Sequence, residues 1–223
     1  TMPWMVMLFG ILVIPLGVTS IILMMLQPVA VGSWCFLCLG TAVAMLIMVP
    51  LTLDEVVAMI QFLVRKKREG KNFWTVFWMG DTVEGGERDT RSPGMLAAPS
   101  KTIPAMFWGI TVPWSLLLAT ALGLWIIFTP AALGITGIIA DSHFITGAMV
   151  ITFSVIAMAE VTRNIRFLNI LFGIWIIAAP FILGEETTTA LWNGIATGIL
   201  LIALSFPKGK IKESYGTYDK CII

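Results

Sequence analysis

Charged residues are scarce in this sequence. Only 12% of its 223 residues are Asp, Glu, Lys or Arg, whereas 58% are hydrophobic. A soluble globular domain carries about 25% charged residues. The composition therefore excludes an ordinary soluble domain and predicts an integral membrane protein.

Other absences exclude whole classes of chemistry. The sequence has no Gly-rich loop of the nucleotide-binding type and no nucleophile and base set of the hydrolase type. It has three cysteines and one histidine, His143. A structural zinc site needs four ligands, and Cys35 with Cys38 supplies two. Covalent haem attachment needs a histidine directly after the second cysteine, where Leu39 stands. We therefore expect no metal site, and nothing indicates a nucleic acid partner.

Long uncharged apolar runs predict six transmembrane helices, because about 20 residues span the hydrocarbon core. These runs cover residues 3–26, 33–53, 103–128, 144–159, 167–183 and 191–206. The first run lacks the basic region and the small-residue cleavage site of a signal peptide, so we interpret it as a membrane helix. The predicted fold class is an all-α integral membrane protein with six transmembrane helices.

The basic residues predict the topology. All fourteen Lys and Arg residues fall in residues 54–102, in residues 160–166 or in the tail from residue 207. By the positive-inside rule these segments are cytoplasmic, which places both termini inside. Cys35 and Cys38 then lie at the extracytoplasmic end of the second helix, where thiol oxidation is possible. Cys221, in the cytoplasmic tail, cannot pair with them across the bilayer. We expect a prokaryotic plasma membrane protein.

The chain divides into four predicted parts. Residues 1–64 form a two-helix module with the CxxC pair, and residues 65–102 form a basic, flexible cytoplasmic linker. Residues 103–206 form duplicated transmembrane helix pairs, and residues 207–223 form a cytoplasmic tail. The basic stretch that follows residue 53 has two interpretations: a helix lying at the headgroups, or a continuation of the second helix.

The duplication is visible in two segments that lie 50 residues apart. "LGLWIIFTPAALG" at 122–134 matches "FGIWIIAAPFILG" at 172–184, so that Trp125 corresponds to Trp175 and Pro130 to Pro180. Both copies enter from the cytoplasmic side, which predicts a parallel repeat. Its glycines allow close helix approach and its prolines end or kink the helices, so the repeat indicates packing and no chemistry.

The cysteine pair has two interpretations from its residues alone. At a helix N-terminus, free N–H groups and the helix dipole favour a thiolate. With Ser33 as a possible N-cap, Cys35 would lie in the first turn and Cys38 on the same face, close enough for a disulfide. The alternative is that both cysteines are inert apolar filler in a membrane helix.

A resemblance favours redox chemistry. "QPVAVGSWCFLCLGTAVAMLIMVPLTLDEVVAMIQFL" resembles the last transmembrane helix of the vitamin K epoxide reductase family, and the run before it is similar to that family's third helix. The resemblance implies that Cys38 faces a bound quinone, that Cys35 exchanges with an external dithiol and that Trp34 borders the quinone pocket. It also implies a four-helix bundle and a thioredoxin-like partner. The sequence as given does not contain that family's first two helices or its loop cysteines. Three alternatives stay open: another membrane subunit supplies them, a lost N-terminal segment supplied them, or nothing does.

A second resemblance covers the duplicated region. From residue 105 to about 206 the chain resembles the small SPW-type membrane repeat, through Trp125 with Pro130 and Trp175 with Pro180. This resemblance implies no known chemistry.

The sequence thus predicts a membrane thiol-disulfide oxidoreductase, or part of one, that couples Cys35 and Cys38 to a quinone. The alternative is a noncatalytic accessory subunit of a larger membrane complex. Two further groups rank lower. Asp141 and His143, in a predicted outer connection, either serve a proton step or are simply solvated. Glu160, Arg163 and Arg166 are expected to form surface pairs of small worth.

Overall fold

The computed structural model of the protein describes residues 2–81, 100, 109–184 and 188–212. These residues form seven α-helices: α1 (Pro3–Leu26), α2 (Phe36–Arg68), α3 (Phe73–Met79), α4 (Trp114–Leu133), α5 (Ile138–Ile156), α6 (Leu168–Leu183) and α7 (Thr188–Ser205). A π-helical turn, Gln27–Val31, follows α1, and a 3-10 segment, Glu160–Phe167, precedes α6. Six of the helical segments are long and apolar enough to cross a membrane, which confirms the predicted fold class.

Helices α1 and α2 form an antiparallel pair that depends on two glycines. A Cβ on Gly10 would lie 2.7 Å from Val56 Cγ2, and one on Gly17 would lie 2.6 Å from Val49 Cγ2. Because neither glycine has a side chain, the two helices approach closely along their length. Helix α2 runs for 33 residues and ends at Arg68, so the basic stretch continues the second helix.

The predicted boundary at residue 64 therefore falls inside α2. Residues 65–81 complete α2 and form α3, and most of the remaining predicted linker, together with Cys221, lies outside the described residues. Helix α3 is capped by Asn72, whose side-chain oxygen accepts a hydrogen bond from the backbone N–H of Trp74 at 3.1 Å.

The two copies of the repeat form two hairpins, α4 with α5 and α6 with α7. In each hairpin a pair of glycines meets at the crossing. A Cβ on Gly123 would lie 3.0 Å from the carbonyl oxygen of Gly147, and one on Gly173 would lie 2.9 Å from that of Gly198. The hairpins also pack on each other, α5 against α6 and α4 against α7, which closes a four-helix bundle.

The first helix pair packs on the repeat bundle through α5. Met25 of α1 belongs to one buried cluster with Ile127 of α4 and Ile151 of α5. At the other end, α2 contacts the 3-10 segment. The cysteine end of α2 thus lies at the end of the bundle where α5 begins, and its basic end lies beyond the end that carries the 3-10 segment.

The expectation that Glu160, Arg163 and Arg166 form surface pairs is wrong, since all three are fully buried. An antiparallel bridge between Ile110 and Ala159 and the chain after α7 cover the 3-10 segment. Both carboxylate oxygens of Glu160 accept from the backbone N–H of Lys212, at 3.0 and 3.1 Å. The group that Glu160 binds is thus 52 residues away in the sequence, so the spacing of nearby charges does not reveal it.

The two arginines bind the bundle in different ways. Arg163 donates to the hydroxyl of Thr111. Arg166 donates from Nε to the carbonyl oxygen of Ser205 at 3.1 Å, and its guanidinium carbon lies 4.5 Å from the ring centroid of Phe167. These contacts join the 3-10 segment to the start of α4 and the end of α7, so the segment closes one end of the repeat bundle.

Candidate dithiol site

The cysteine pair lies where the chain turns from α1 into α2. Gly32 adopts a left-handed conformation, with φ of 68°, and Cys35 occupies the N-cap position of α2 in an extended conformation. The Leu39 backbone N–H donates to the Cys35 carbonyl at 3.0 Å, as the first hydrogen bond of the helix. Cys38 is therefore the third residue of the helix.

The proposed Ser33 cap and the placement of Cys35 in the first turn are therefore wrong. The physical reason is Gln27, whose side-chain oxygen accepts a hydrogen bond from the Cys35 backbone N–H at 2.9 Å. This bond holds Cys35 extended, just before the helix. Sequence reasoning missed Gln27, although a lone amide at the end of an apolar run was the available signal.

Both thiols are exposed and free. The nearby backbone N–H of Cys38, and after it the Cys38 thiol, lower the pKa of the Cys35 thiol. A lowered pKa increases the thiolate fraction, and the thiolate is the species that takes part in disulfide exchange. Residues three apart at a helix start have Cβ atoms about 5–6 Å apart, whereas a disulfide requires about 3.8 Å. A small rotation of Cys35, which lies outside the helix, would close that gap.

Trp34 links the site to the repeat bundle. Its ring meets that of Phe144 in α5 edge to face, with centroids 6.1 Å apart. The indole is 46% exposed, so one part packs on α5 while the rest stays accessible. Its role at the border of a quinone pocket stays a prediction.

Asp141 and His143 do not lie in a connection between helices, as was expected, but within α5. His143 is only 4% exposed, and its Nδ1 donates to the carbonyl oxygen of Ile139 at 2.8 Å. The connection is short because Gly134 and Gly137, both with positive φ, let the chain reverse between α4 and α5. His143 is therefore a buried, hydrogen-bonded residue and not a solvated one.

Two apolar grooves lie away from the cysteines. One, of about 540 Å³, lies between α1, α2 and α3, and one of its lining residues, Ile60, is about 33 Å from Cys38 along the axis of α2. The other, of about 510 Å³, lies between α5 and α6 and contains Asp141 and Trp175. Phe144, the contact of Trp34, points to the opposite side of α5 from that groove.

Across residues 2–81, 109–184 and 188–212 no three His, Cys, Asp or Glu side chains lie close enough to hold a metal ion. The chemistry available at the N-terminus of α2 is that of two exposed thiols.

Comparison with known families identifies the duplicated region. Residues 105–207 match the SPW repeat domain. The SPW repeat domain thus includes the whole four-helix bundle of α4 to α7, which confirms the second resemblance. It belongs to a membrane-associated family, which agrees with the six apolar helices. No match supports a vitamin K epoxide reductase region in residues 1–64, so that resemblance stays a prediction. No curated protein and no solved structure matches the chain.

Proposed function

We propose that this chain is a membrane thiol-disulfide oxidoreductase, or the thiol-bearing part of one, in which Cys35 and Cys38 alternate between dithiol and disulfide. One observation carries the proposal: Cys35 lies at the N-cap of α2, exposed and with a lowered pKa, three residues from an exposed Cys38. Both thiols are exposed and are not packed between helices, so a reacting partner can reach them.

The first half of the cycle oxidises a thioredoxin-like or other dithiol protein outside the cytoplasm. A thiolate of that protein attacks the Cys35 sulfur of the disulfide, and the Cys38 thiolate leaves. The partner's second thiol then attacks the mixed disulfide and releases Cys35. The partner departs with a new disulfide, and the Cys35 and Cys38 pair holds two electrons and two protons.

The second half returns the pair to the disulfide. The electron acceptor is a quinone, which takes up two electrons and two protons and leaves as hydroquinone. Cys38 is the thiol placed to react with the quinone, because it is exposed on the first turn of a membrane-spanning helix, beside Leu37, which is 78% exposed. The Cys38 sulfur would bond to a ring carbon of the quinone. The Cys35 thiolate, which its lowered pKa keeps available, would then attack the Cys38 sulfur to form the disulfide, the carbon–sulfur bond would break, and its electron pair would leave with the hydroquinone. The SPW repeat domain then acts as the scaffold on which α1 and α2 rest.

A thiol-alkylation gel shift on intact cells tests this proposal. A membrane-impermeant maleimide is applied with and without prior reduction, in a Cys221→Ser background that removes the third thiol. We expect protection of both thiols until reduction, and labelling of the remaining thiol in Cys35→Ala and in Cys38→Ala without reduction. Thiols that stay reduced in the wild type, or unreactive after reduction, would overturn the proposal.

The second candidate is a noncatalytic accessory subunit, and the low burial of the first helix pair favours it. In their most apolar stretches only 17% of α1 and 22% of α2 residues are buried within the chain, compared with 50% for α5. A large apolar surface on two adjacent helices is available for another membrane subunit. If the cysteines prove inert in the maleimide experiment, co-purification of the full chain in mild detergent with a stoichiometric membrane partner would support this function.

A further inference from the structure

The groove between α1, α2 and α3 has the form of a lipid chain site. It is lined by apolar side chains from all three helices, among them Ile11, Ile14, Ile60, Leu63, Phe73 and Phe77. At Gly10 the missing side chain lets α1 approach Val56, so the groove has a closed floor and remains open on one side. Its volume of about 540 Å³ suits an extended hydrocarbon chain.

Helix α3 marks the level of the membrane surface beside this groove. Its rings Trp74 and Trp78 are 65% and 59% exposed, and Trp78 also contacts Trp4 at the start of α1, with centroids 6.2 Å apart. Tryptophan side chains prefer the headgroup level of a bilayer. The end of the groove that α3 borders therefore lies just below the lipid headgroups.

The wall that α2 contributes continues into exposed positive charge. With about 100° per residue, Lys67 lies about 20° around the helix from Val56, a residue at the centre of the lining face. On the same measure Arg68 lies about 120° from Val56, one turn beyond Val64 at the edge of the lining face, and Arg65 lies about 180° from Val56. All three cations are exposed. Lys67 continues the centre of the lining face, and Arg68, beside it, lies just beyond the edge of that face.

The neighbouring Lys66 is a cation that is already paired with carboxylates of the chain. It is buried, and its Nζ lies 2.9 Å from Glu69 Oε2 and 3.5 Å from Asp81 Oδ2. Lys66 therefore has a structural role, whereas Lys67 and Arg68 are exposed.

From this arrangement we propose that the groove binds an anionic phospholipid of the adjacent leaflet, with one acyl chain against Ile60 and Leu63 and the phosphate at Lys67 and Arg68. Apolar lining alone would accept any lipid, so the selectivity comes from the two cations. The site is independent of the thiol chemistry, because Cys38 lies about 33 Å away along α2.

Native mass spectrometry of the full chain, delipidated in detergent, measures the binding. Phosphatidylglycerol and phosphatidylcholine with identical acyl chains are titrated into the wild type and into Lys67→Gln, Lys67→Gln/Arg68→Gln and Arg65→Gln. An anionic surface contributes about 1 kcal/mol per basic residue. We therefore expect the affinity for the first tightly bound phosphatidylglycerol to fall about fivefold in the single variant and about 30-fold in the double variant. Arg65→Gln, with the same charge change on the opposite face, leaves its affinity unchanged.

Two groove-filling variants test the acyl chain. Ile60→Trp in α2 and Ile14→Trp in α1 place an indole in the groove from opposite walls, and both should weaken phosphatidylglycerol and phosphatidylcholine alike. Size-exclusion profiles check that the groove-filling variants fold. The charge variants replace exposed side chains, so their lipid affinities test the proposal without depending on that check. Equal affinity for the two lipids in the wild type, an Arg65→Gln loss as large as that of Lys67→Gln, or full binding in a folded groove-filled variant would each overturn the proposal.

Discussion

The indole Nε1 of Trp125 donates to Oδ1 of Asn193 at 3.1 Å, and this bond joins the first helix of one repeat to the second helix of the other. Its counterpart is the bond from Trp175 Nε1 to Ser142 Oγ, at 2.9 Å. The tryptophans correspond at an offset of 50 residues and their acceptors at 51, the same offset that relates Gly147 to Gly198. The SPW repeat domain is thus a pseudo-symmetric bundle in which each copy holds the other.

Removing either indole bond should destabilise the bundle slightly. For Trp125→Phe and Trp175→Phe we expect a loss of about 0.6 kcal/mol each, the average for hydrogen bonds between membrane helices. Thermal unfolding in detergent, followed by circular dichroism, measures the change. Trp192→Phe is the matched control, because Trp192 is 65% exposed. A loss in Trp192→Phe equal to that in the other two would contradict the assigned role of the bonds.

The repeat was predictable because its pattern is local and strong. Each apolar run, with its Trp and Pro, lies within a single helix. The same pattern then recurs 50 residues later. The bonds from Trp125 and Trp175 were not predictable in the same way, since each acceptor lies on the other copy and its identity differs, amide in one case and hydroxyl in the other. Helix pairing across the copies is a tertiary property that a single helix pattern does not contain.

The glycine crossing within the first hairpin should tolerate no added methyl group. A Cβ on Gly147 would lie 2.6 Å from Ile127 Cγ1 and 2.7 Å from the carbonyl oxygen of Gly123. Because the second neighbour is backbone, the helices would have to separate, and we expect Gly147→Ala to cost about 1–3 kcal/mol. At Gly40, also helical, nothing lies within 4 Å. Gly40→Ala should therefore be neutral or stabilising by up to about 1 kcal/mol. Equal unfolding temperatures for the two variants would refute the close crossing.

A buried hydrogen bond between α5 and α6 can be measured with a double-mutant cycle. Asn169 Nδ2 donates to Ser154 Oγ at 2.9 Å, and both residues are fully buried. Ser154→Ala leaves the amide donor buried without its acceptor, and we expect a loss of about 1–3 kcal/mol. Adding Asn169→Leu removes that donor, so the double variant should lose less than the sum of the single losses. Strict additivity in chemical unfolding would show that the bond contributes nothing.

The candidate site was predictable only in part, because some of its contacts come from residues outside the helix that carries the cysteines. The spacing of Cys35 and Cys38 and their position at a helix start follow from the sequence, because apolar runs and turn residues are local signals. The N-cap identity does not, since it depends on Gln27, eight residues earlier and across the turn. The burial of Glu160 likewise depends on Lys212, 52 residues later. Partners outside the local helix pattern determined these two corrections.

The lowered pKa of Cys35 can be separated into its two physical causes. The Cys38 backbone N–H is kept in any variant, whereas the Cys38 thiol is a donor that Cys38→Ser replaces with a hydroxyl and Cys38→Ala removes. The rate of iodoacetamide alkylation at Cys35, resolved by peptide mass spectrometry between about pH 6 and pH 10, follows its thiolate fraction. We expect the midpoint to lie at lower pH in Cys38→Ser than in Cys38→Ala, because only the former donates to the thiolate. In both variants it should remain below the midpoint of an unfolded Cys35 peptide, because the helix N–H persists. A Cys38→Ala midpoint equal to that of the peptide would mean that the helix N-terminus does not activate Cys35, and the redox proposal would lose its main physical support.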